Sequence, residues 1–553
     1  MMEGFKLRME ELAVELVRTR SVVGTEGEAD ITAWIYGWLS KLPYFAEHPE
    51  GLIVERLAGD RLGRSCLIAT IRANPESKDA LLLLGHTDTV GTSDYAAAEP
   101  CSTDPARLPG VLSGMKLGSS ASEDLASGDY VFGRGIFDMK AGVAALMLIA
   151  EMASCNGSRL GANLVFSFVP DEEGGSAGMI ASVQRLSDMA RDEGWEFMAA
   201  LDTDYMTEGF PGDASRYVYL GTVGKLLPCV YIHGEATHVG EAFCGIDANL
   251  LAAAVMSSID LDPGLSDIVE GEVTQPPISL RMQDLKEEYS VQTTGGAFLY
   301  FNFPTHSSTP DIVMEKMRAK VEKAVGDAVR DLSLRRERHA ALSGRKAVRP
   351  YATPRVITYS ELLKEAEAAL GRRLAGIVQE YKSGHGFTRQ DPREASLGLV
   401  REIHRLLPDQ SPMAVLFFSP PYYPHICVED GDRKGAQLAK AVGLAVAEAR
   451  EKLGYEIAIK KFYPYISDLS YCRLPSEEGA LTALVSNMPA WPEAYELPLD
   501  AISALSMPVA NIGPFGKDAH KPTERLSRAY SLDAMPLMVL RTIEELTGSR
   551  IIR

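Results

Sequence analysis

The sequence predicts an α/β protein in which a doubly wound mixed sheet forms the main domain and a small α+β domain is inserted into it. Apolar strand-like runs alternate with helical patterns over about the first 220 residues, which is typical of a sheet with helices on both faces. After about Gly221 the order changes to several strands and a long helix, Pro310–Leu332, which is typical of a small sheet with helices on one face.

The predicted elements follow in chain order. In the first part, periodicity and apolar runs predict helices at 6–23, Ala29–Leu42, Ala141–Met152 and Ala177–Leu186, and strands at Leu52–Leu57, Ser65–Ile71, Leu81–Leu84, Leu164–Val169 and Phe197–Leu201. Beyond Gly221 the predicted strands are Gly224–His233, Pro277–Met282, Glu288–Gln292, Ala297–Phe303, Met413–Ser419 and Pro508–Ile512, and the further helices are Ile246–Ile259, Tyr359–Glu380, Ala395–Leu407 and Lys434–Leu453. We interpret Thr92–Gly128, which has little periodicity, as a long loop that lines a site.

The order of elements predicts a discontinuous main domain. We expect residues 1–221 and 351–553 to form this catalytic domain, with residues 222–350 inserted as a lid or dimerisation domain. The sequence does not indicate a role for the segment from about His339 to Ser411.

Composition excludes several classes of protein. The net charge of −19 argues against a broad surface for nucleic acid or anionic membranes. Seven scattered cysteines without a C-x-x-C pair are typical of reduced thiols, and no apolar run approaches the ~18 residues of a membrane span. The acidic, amphipathic start is unlike a signal peptide. We therefore expect a soluble, cytoplasmic protein.

The stretch Leu81–Val90, LLLLGHTDTV, indicates where a site lies. Four leucines closed by a glycine predict a strand buried on both faces, and His86 and Asp88 follow at its end. Ligand sites in open α/β sheets lie at the carboxyl ends of strands. A lone His-x-Asp pair is explained equally well by a loop histidine and a turn-capping aspartate, so the interpretation depends on the other strands.

Four later stretches also place His or acidic residues beside an apolar run or a glycine-rich turn. They contain Asp138, the run Asp171-Glu172-Glu173, the pair Asp202 and Asp204, and His520. Adjacent carboxylates at a buried strand end repel each other unless a cation neutralises them. Two histidines with several carboxylates suit a borderline divalent metal such as zinc. One carboxylate offers two oxygens, so Asp138 is the best candidate to bridge two metals.

The motifs GHTDTV, GRGIFDMKAG and PDEEGG resemble those of the M20 metallopeptidases. Within that family, the length and the segment SVVGTEGEADITAWIYGWL are similar to a bacterial branch connected with arginine utilisation. The resemblance implies a zinc-peptidase-like catalytic domain, a ferredoxin-like lid and two divalent metal ions, zinc in the first place with cobalt or manganese as alternatives. It also implies a cis peptide bond between Asp138 and Met139.

The resemblance assigns roles to the site residues. His86 and Asp202 would complete one metal site and Glu173 and His520 the other, with Asp204 as a rival to Asp202. Asp88 would accept a hydrogen bond from the far nitrogen of His86.

Glu172 would be the general base, with the role of an ordinary acid at a helix N-terminus as the alternative. His238, in a segment that resembles the lid motif of the family, would hold the oxyanion across a homodimer. Ser467-Asp468 would support the site. The Asp-x-Arg that usually ends the lid strand is replaced here by Asn302-Phe303-Pro304.

These features predict a metallohydrolase that cleaves the amide bond of an N-acyl amino acid or a short peptide. A dipeptidase or aminopeptidase is an alternative within the same chemistry. A non-catalytic descendant that binds without cleaving is the alternative from another class; loss of Glu172 or a ligand would favour it, and none is lost.

Overall fold

The computed structural model of the chain describes residues 2–73, 77–155, 159–344, 351–384, 386–428, 431–477 and 479–551. These residues form two compact units. The first comprises Met1–Thr222, Ile426–Leu474 and Pro498–Arg553, and the second Val223–His425 and Pro475–Leu497. Residues 351–425 and 475–497, which the sequence assigns to the main domain, thus belong to the second unit. Residue 350, the predicted end of the inserted domain, lies outside the described residues.

The elements of both units are numbered here in chain order. The helices are α1 Met2–Arg18, α2 Gly27–Leu39, α3 Pro43–Glu47, α4 Leu108–Leu112, α5 Ser119–Ser127, α6 Ala141–Ser154, α7 Ala177–Glu193, α8 Ala248–Ile259, α9 Pro310–Leu342, α10 Tyr359–Leu370, α11 Arg373–Ser383, α12 Pro392–Arg405, α13 Arg433–Leu453, α14 Ala480–Ser486, α15 Leu499–Leu505, α16 Arg528–Ser531 and α17 Ala534–Thr547. The strands are β1 Leu52–Arg56, β2 Ser65–Ile71, β3 Asp79–His86, β4 Tyr130–Phe132, β5 Asn163–Val169, β6 Glu196–Asp202, β7 Arg216–Thr222, β8 Gly224–His233, β9 Ile268–Val269, β10 Glu272–Val273, β11 Ile278–Asp284, β12 Gly296–Thr305, β13 Arg355–Thr358, β14 Met413–Tyr423, β15 Ile426–Cys427, β16 Ile457–Lys460, β17 Val509–Asn511, β18 Gly516–Lys517 and β19 Arg525–Ser527.

The first unit is built on a large mixed sheet with the order β1-β2-β5-β3-β6-β17-β7-β15, and β16 also pairs with β7. Its centre, β5-β3-β6, is parallel, whereas β1, β2 and β7 pair antiparallel with their inner neighbours. The leucines Leu81–Leu84 of β3 are all buried because helices cover the sheet. This confirms the predicted doubly wound α/β class.

Helix α6 lies close to the end of β6. Its sequence, AGVAALMLIAEMAS, is almost entirely buried. A Cβ atom at Gly142 would lie 2.2 Å from the carbonyl oxygen of Thr203, so only glycine permits this approach. The close packing brings the turn before α6, which contains Asp138, next to the residues that follow β6.

The segment Thr92–Gly128 is not the irregular loop that its composition predicts. It contains a 3-10 helix, Ser93–Cys101, together with α4 and α5. Its apolar side chains form a small core with Phe132 of β4; these are Tyr95, Ala98, Cys101, Leu108 and Leu112. The prediction was wrong because the order of this segment depends on contacts with β4 and not on its own periodicity.

The second unit has the ferredoxin-like order β8-α8-β11-β12-α9-β14, and its sheet runs β11-β12-β8-β14-β13. This confirms the predicted class of the inserted fold. The predicted strand Glu288–Gln292 is not formed, and the predicted helix Tyr359–Glu380 is divided between α10 and α11.

The chain between α9 and β14 adds β13 and helices α10–α12 to this fold. Apolar residues of these helices pack with Tyr231, Phe298 and Phe417 on one face of the sheet. Helices α8 and α9 also contact the sheet, and the alternate residues Val230 and Leu299 are buried as well. Both faces are therefore covered, which is the structural role of most of the segment His339–Ser411.

Three further features bear on the sequence predictions. The peptide bond between Asp138 and Met139 is cis, as the resemblance implies. All seven cysteines are free thiols. Within the described ranges, no helix combines the length and the apolar character that a bilayer span requires.

Candidate metal centre

Three neighbouring strands place their ends at one edge of the sheet of the first unit. Strands β5, β3 and β6 are parallel, so the residues that follow them converge. His86 ends β3, Glu172 and Glu173 follow β5, and Asp204 follows β6. The turn before α6 adds Asp138, and the loop between β18 and β19 adds His520.

These side chains form two groups that share Asp138. In the first, His86 Nε2 lies 3.2 Å from Asp138 Oδ1 and 3.9 Å from Asp204 Oδ1. In the second, His520 Nε2 lies 3.0 Å from both Asp138 Oδ2 and Glu173 Oε1. Asp138 thus directs one oxygen toward each group, which is the geometry expected of a bridging carboxylate.

Two buried oxygens of the second group lack a hydrogen-bond donor. Among the described residues, none donates to Asp138 Oδ2 or Glu173 Oε1, and the nearby His520 nitrogen lies outside hydrogen-bond geometry. Buried acceptors without a partner are costly, and a cation would satisfy them. With two imidazoles and three carboxylates, the donor set fits two divalent ions of the zinc type.

The two aspartates that end β6 point to different partners. Asp204 belongs to the group with His86, whereas Asp202 accepts hydrogen bonds from Ser467 Oγ at 3.2 Å and from the N–H of Thr203 at 2.7 Å. The structure therefore brings Asp204, and not Asp202, together with His86 and Asp138 in one candidate group. The reason is the turn after β6, which directs the side chain of Asp202 toward Ser467.

Asp88 contacts the ring of His86 mainly through its backbone. The contact from His86 Nδ1 within hydrogen-bonding distance is to the backbone carbonyl oxygen of Asp88, at 3.2 Å, and the nearest carboxylate oxygen is 3.6 Å away. The buried carboxylate instead accepts hydrogen bonds from the backbone N–H groups of Glu172 and Glu173. Asp88 thus orients the histidine through its backbone and the acidic turn through its side chain.

Glu172 lies beside the two groups but belongs to neither. Loss of hydration raises the pKa of its carboxyl well above the usual range; the charge of His86 opposes this, and the charges of Asp468 and Glu173 add to it. Burial likewise raises the pKa of Asp468 to about 7. A carboxylate with a raised pKa can accept a proton near neutral pH.

The carboxylates of the two groups titrate unequally. Burial opposes the charge of Asp138, but the nearby imidazoles of His520 and His86 lower its pKa to about 2. Burial and the charge of Asp138 raise the pKa values of Glu173 and Asp204. The two histidines therefore outweigh the effect of burial on the pKa of Asp138, but not on the pKa values of Glu173 and Asp204. A bound cation would relieve the repulsion between these carboxylates.

Tyr463 is a candidate site residue that sequence reasoning missed. Its buried hydroxyl donates a hydrogen bond to Asp204 Oδ2 at 3.0 Å. The ring of Tyr205 stacks on Tyr465 at 5.1 Å and meets the edge of Phe137 at the same centroid distance. The run YPY before Ser467-Asp468 was the available signal, but nothing in it identifies a partner 259 residues away.

His238 belongs to the second unit and is not a member of either group. It lies on an exposed loop that follows β8, where its Nδ1 accepts a hydrogen bond from the N–H of Gly240 at 3.1 Å. The triplet Asn302-Phe303-Pro304 lies within β12.

This chain matches a known protein family over most of its length. Residues 82–536 match the model of peptidase family M20/M25/M40. Protein RocB of Bacillus subtilis (strain 168) is 30% identical over 545 residues, covering 98% of this chain and 95% of RocB. The uncharacterized protein YqjN of the same strain is 33% identical over 542 residues, covering 97% and 95%.

The solved structure of an M20 family metallo-carboxypeptidase, Sso-CP2 of Sulfolobus solfataricus, covers 97% of this chain and 98% of its own. The two superpose with a TM-score of 0.52 at 11% identity. At this identity the likeness concerns the fold alone.

Proposed function

Because the chain belongs to the M20/M25/M40 peptidase family, we propose that it is a dinuclear metal-dependent hydrolase that cleaves the amide bond of an N-acyl amino acid or a short peptide. The observation that carries this proposal is the pair of ligand groups that share Asp138. Two ions held by one carboxylate form a site that can bind both the carbonyl oxygen and the attacking water of an amide substrate.

The ligands of the proposed site come from both groups. His86 and Asp204 would hold one ion and Glu173 and His520 the other, with Asp138 between them. When bound, the ions would polarise the amide carbonyl and lower the pKa of water from ~16 toward ~7. Zinc suits this donor set best, and cobalt or manganese are alternatives.

Glu172 would move the proton. Its raised pKa suits a carboxylate that takes a proton from the attacking water and delivers it to the leaving nitrogen. The hydrogen bonds from Glu172 and Glu173 backbone N–H groups to Asp88 would keep this carboxylate beside the ligands. Tyr463 would hold Asp204 in its ligating direction.

We also propose that the enzyme is a homodimer in which His238 stabilises the oxyanion across the interface. Strand β11 lies at the edge of the sheet of the second unit, and its alternate residues Ile278, Leu280 and Met282 are exposed. An exposed apolar edge is commonly covered by a second copy in a two-fold contact. The exposed position of His238 suits a residue that acts on a partner.

The test is a matched substrate panel with the full-length protein. Metal content per chain is measured by elemental analysis, and amine release is followed for N-acyl amino acids and dipeptides of the same side chains. Arginine derivatives come first, because the N-terminal segment resembles the branch connected with arginine utilisation. We expect two ions per chain and amine release that a chelator abolishes and zinc restores. A metal-loaded chain that releases amine from no amide would favour the non-catalytic alternative.

A further inference from the structure

The loop that carries His520 is the most exposed part of the metal centre. The side chain of His520 is 47% exposed, whereas those of His86 and Asp138 are 3% and 4% exposed. Asp518 and His520 have φ values of +60° and +61°, in the left-handed region that non-glycine residues rarely occupy. A ligand in this position depends on its surroundings to keep its direction.

Arg525 connects the two arms of this loop. Its Nη1 donates hydrogen bonds to the carboxylate of Asp518, two residues before His520, and to the carbonyl oxygen of Thr523, three residues after it. Thr523 Oγ1 also donates to Asp518 Oδ2 at 2.8 Å. The planar guanidinium of Arg525 thus binds the chain both before and after His520.

Arg525 is in turn held by the segment Thr92–Gly128. The side chain of Arg525 is 1% exposed, and its guanidinium carbon lies 5.8 Å from the ring centroids of both Tyr130 and Phe132. Its Nε donates to Asp124 Oδ2 at 2.7 Å and its Nη2 to Ser120 Oγ at 3.0 Å, and both partners belong to α5. Asp124 and Asp518 are the two carboxylates paired with this buried cation, so loss of either one would be unfavourable and would change where the guanidinium lies.

A second arginine repeats the arrangement. Arg134 is 1% exposed; its Nη1 donates to Glu524 Oε2 at 2.8 Å and its Nη2 to Asp94 Oδ2 at 2.7 Å. Glu524 ends the His520 loop, and its carbonyl oxygen accepts a hydrogen bond from the N–H of Gly133 at 3.2 Å. Each buried arginine therefore joins one carboxylate of the loop to one acid of the segment.

From this repeated arrangement we propose that the segment Thr92–Gly128 positions His520 for metal binding, through Asp124–Arg525–Asp518 and Asp94–Arg134–Glu524. This role rests on the metal centre proposed above. The segment controls the affinity of the site formed by Asp138, Glu173 and His520. The site that contains His86 and Asp204 shares only Asp138 with it, so its affinity should change much less.

The test compares Asp124→Asn with a matched control, Glu10→Gln. Glu10 accepts hydrogen bonds from Arg528, three residues after Arg525, but within the described ranges no hydrogen bond or ion pair joins it to the His520 loop. Metal-free full-length protein is titrated with zinc in competition with a chromophoric chelator. We expect Asp124→Asn to weaken one of two binding steps by about tenfold, the effect usual for residues that support a ligand. The other step, and both steps of Glu10→Gln, should stay within about twofold of wild type.

A double-mutant cycle separates positioning from general loosening. In a His520→Ala background, Asp124→Asn should leave the remaining step unchanged, because its effect passes through His520. Asp124→Glu, which keeps the charge, should recover part of the affinity, and Asp94→Asn tests the second arginine if Asp124→Asn folds poorly.

The outcomes distinguish this role from the metal centre itself. A wild-type chain that does not bind a pair of zinc ions would overturn both. A wild type that binds two, with both affinities unchanged in Asp124→Asn and Asp94→Asn, would overturn the positioning role alone. An equal loss in the His520→Ala background would also overturn it.

Discussion

The backbone N–H of Glu172 donates a hydrogen bond to Asp88 Oδ1 at 3.2 Å. The N–H of Glu173 donates to Oδ2 of the same carboxylate at 3.0 Å. The turns that follow β3 and β5 are thereby joined, and the proposed base is connected to the strand that carries His86. We infer that the carboxylate of Asp88 mainly holds the turn of Glu172 and Glu173, and does not act on the imidazole of His86 alone.

We expect Asp88→Ala to lower kcat/KM by about 100-fold and Asp88→Asn by about tenfold, the range for residues that support metal ligands. The amide of Asn retains a single acceptor oxygen, so one of the two backbone hydrogen bonds survives. Steady-state kinetics and zinc content are the measurements. Asp213→Ala serves as the control, because Asp213 also accepts backbone hydrogen bonds in a turn but belongs to neither ligand group. Equal effects of the alanine variants at the two positions would contradict the prediction.

Glu172→Gln should retain both zinc ions and lose activity by about 10²–10⁴-fold, because an amide cannot accept the proton. Elemental analysis and single-substrate kinetics check the two parts separately. Turnover near that of wild type would exclude Glu172 as the base, and loss of zinc would make it a ligand instead.

Asp204→Asn and Asp202→Asn should differ in metal content. Asp204 lies in the group with His86, so its loss should reduce zinc occupancy from two ions toward one, whereas Asp202→Asn should retain both. Tyr463→Phe should weaken zinc binding by about tenfold, because the ring remains while the hydrogen bond to Asp204 is removed. If Asp202→Asn loses zinc and Asp204→Asn keeps both ions, Asp202 is the ligand, as the family resemblance implies.

His238→Ala should lower kcat by about 10²–10³-fold and leave metal binding unchanged, as for the loss of one oxyanion donor. If His238 acts across a homodimer, mixing His238→Ala with Glu172→Gln subunits should restore part of the activity, since some heterodimers contain one intact site. Subunit exchange is verified with tagged chains. A fully active monomer, or no recovery despite exchange, would rule out the shared site.

Asp267 should make the folding stability of the second unit depend on pH. Burial alone would raise the pKa of this carboxyl, but hydrogen bonds from Ser308, Ser307 and Lys316 hold it well below its usual value. The unfolded state therefore binds more protons at acidic pH, so the stabilisation is complete above about pH 5 and is lost progressively as the pH falls.

Asp267→Asn should lower the free energy of unfolding at pH 7 by roughly 1–3 kcal/mol, because a buried, hydrogen-bonded charge is removed. The difference from wild type should shrink as the pH is lowered from 5 to 3 in urea denaturation series. Asp284→Asn, at an exposed position in the same unit, should show no such trend. A difference that stays constant with pH would contradict the assignment.

Much of the architecture could be predicted because it depends on local patterns. Leu81–Leu84 followed by His86 predicts a buried strand that ends at a site histidine; the strand is found, and His86 lies in the first candidate group. The convergence of Glu173 and the β6 acids with His86 follows from the parallel order of strands, whose carboxyl ends meet at one edge. The order of elements after Gly221 likewise predicts the ferredoxin-like sheet.

The sequence by itself therefore determined the type of fold, the kind of ligands and the strand ends that carry them. Only the tertiary structure decided which of Asp202 and Asp204 faces His86, because the turn after β6 and its contacts with Ser467 and Tyr463 set those directions. It also decided that Thr92–Gly128 is ordered and joined to the His520 loop through Arg525. These outcomes depend on partners hundreds of residues apart, and hydrogen bonds between them leave no periodic pattern in the chain.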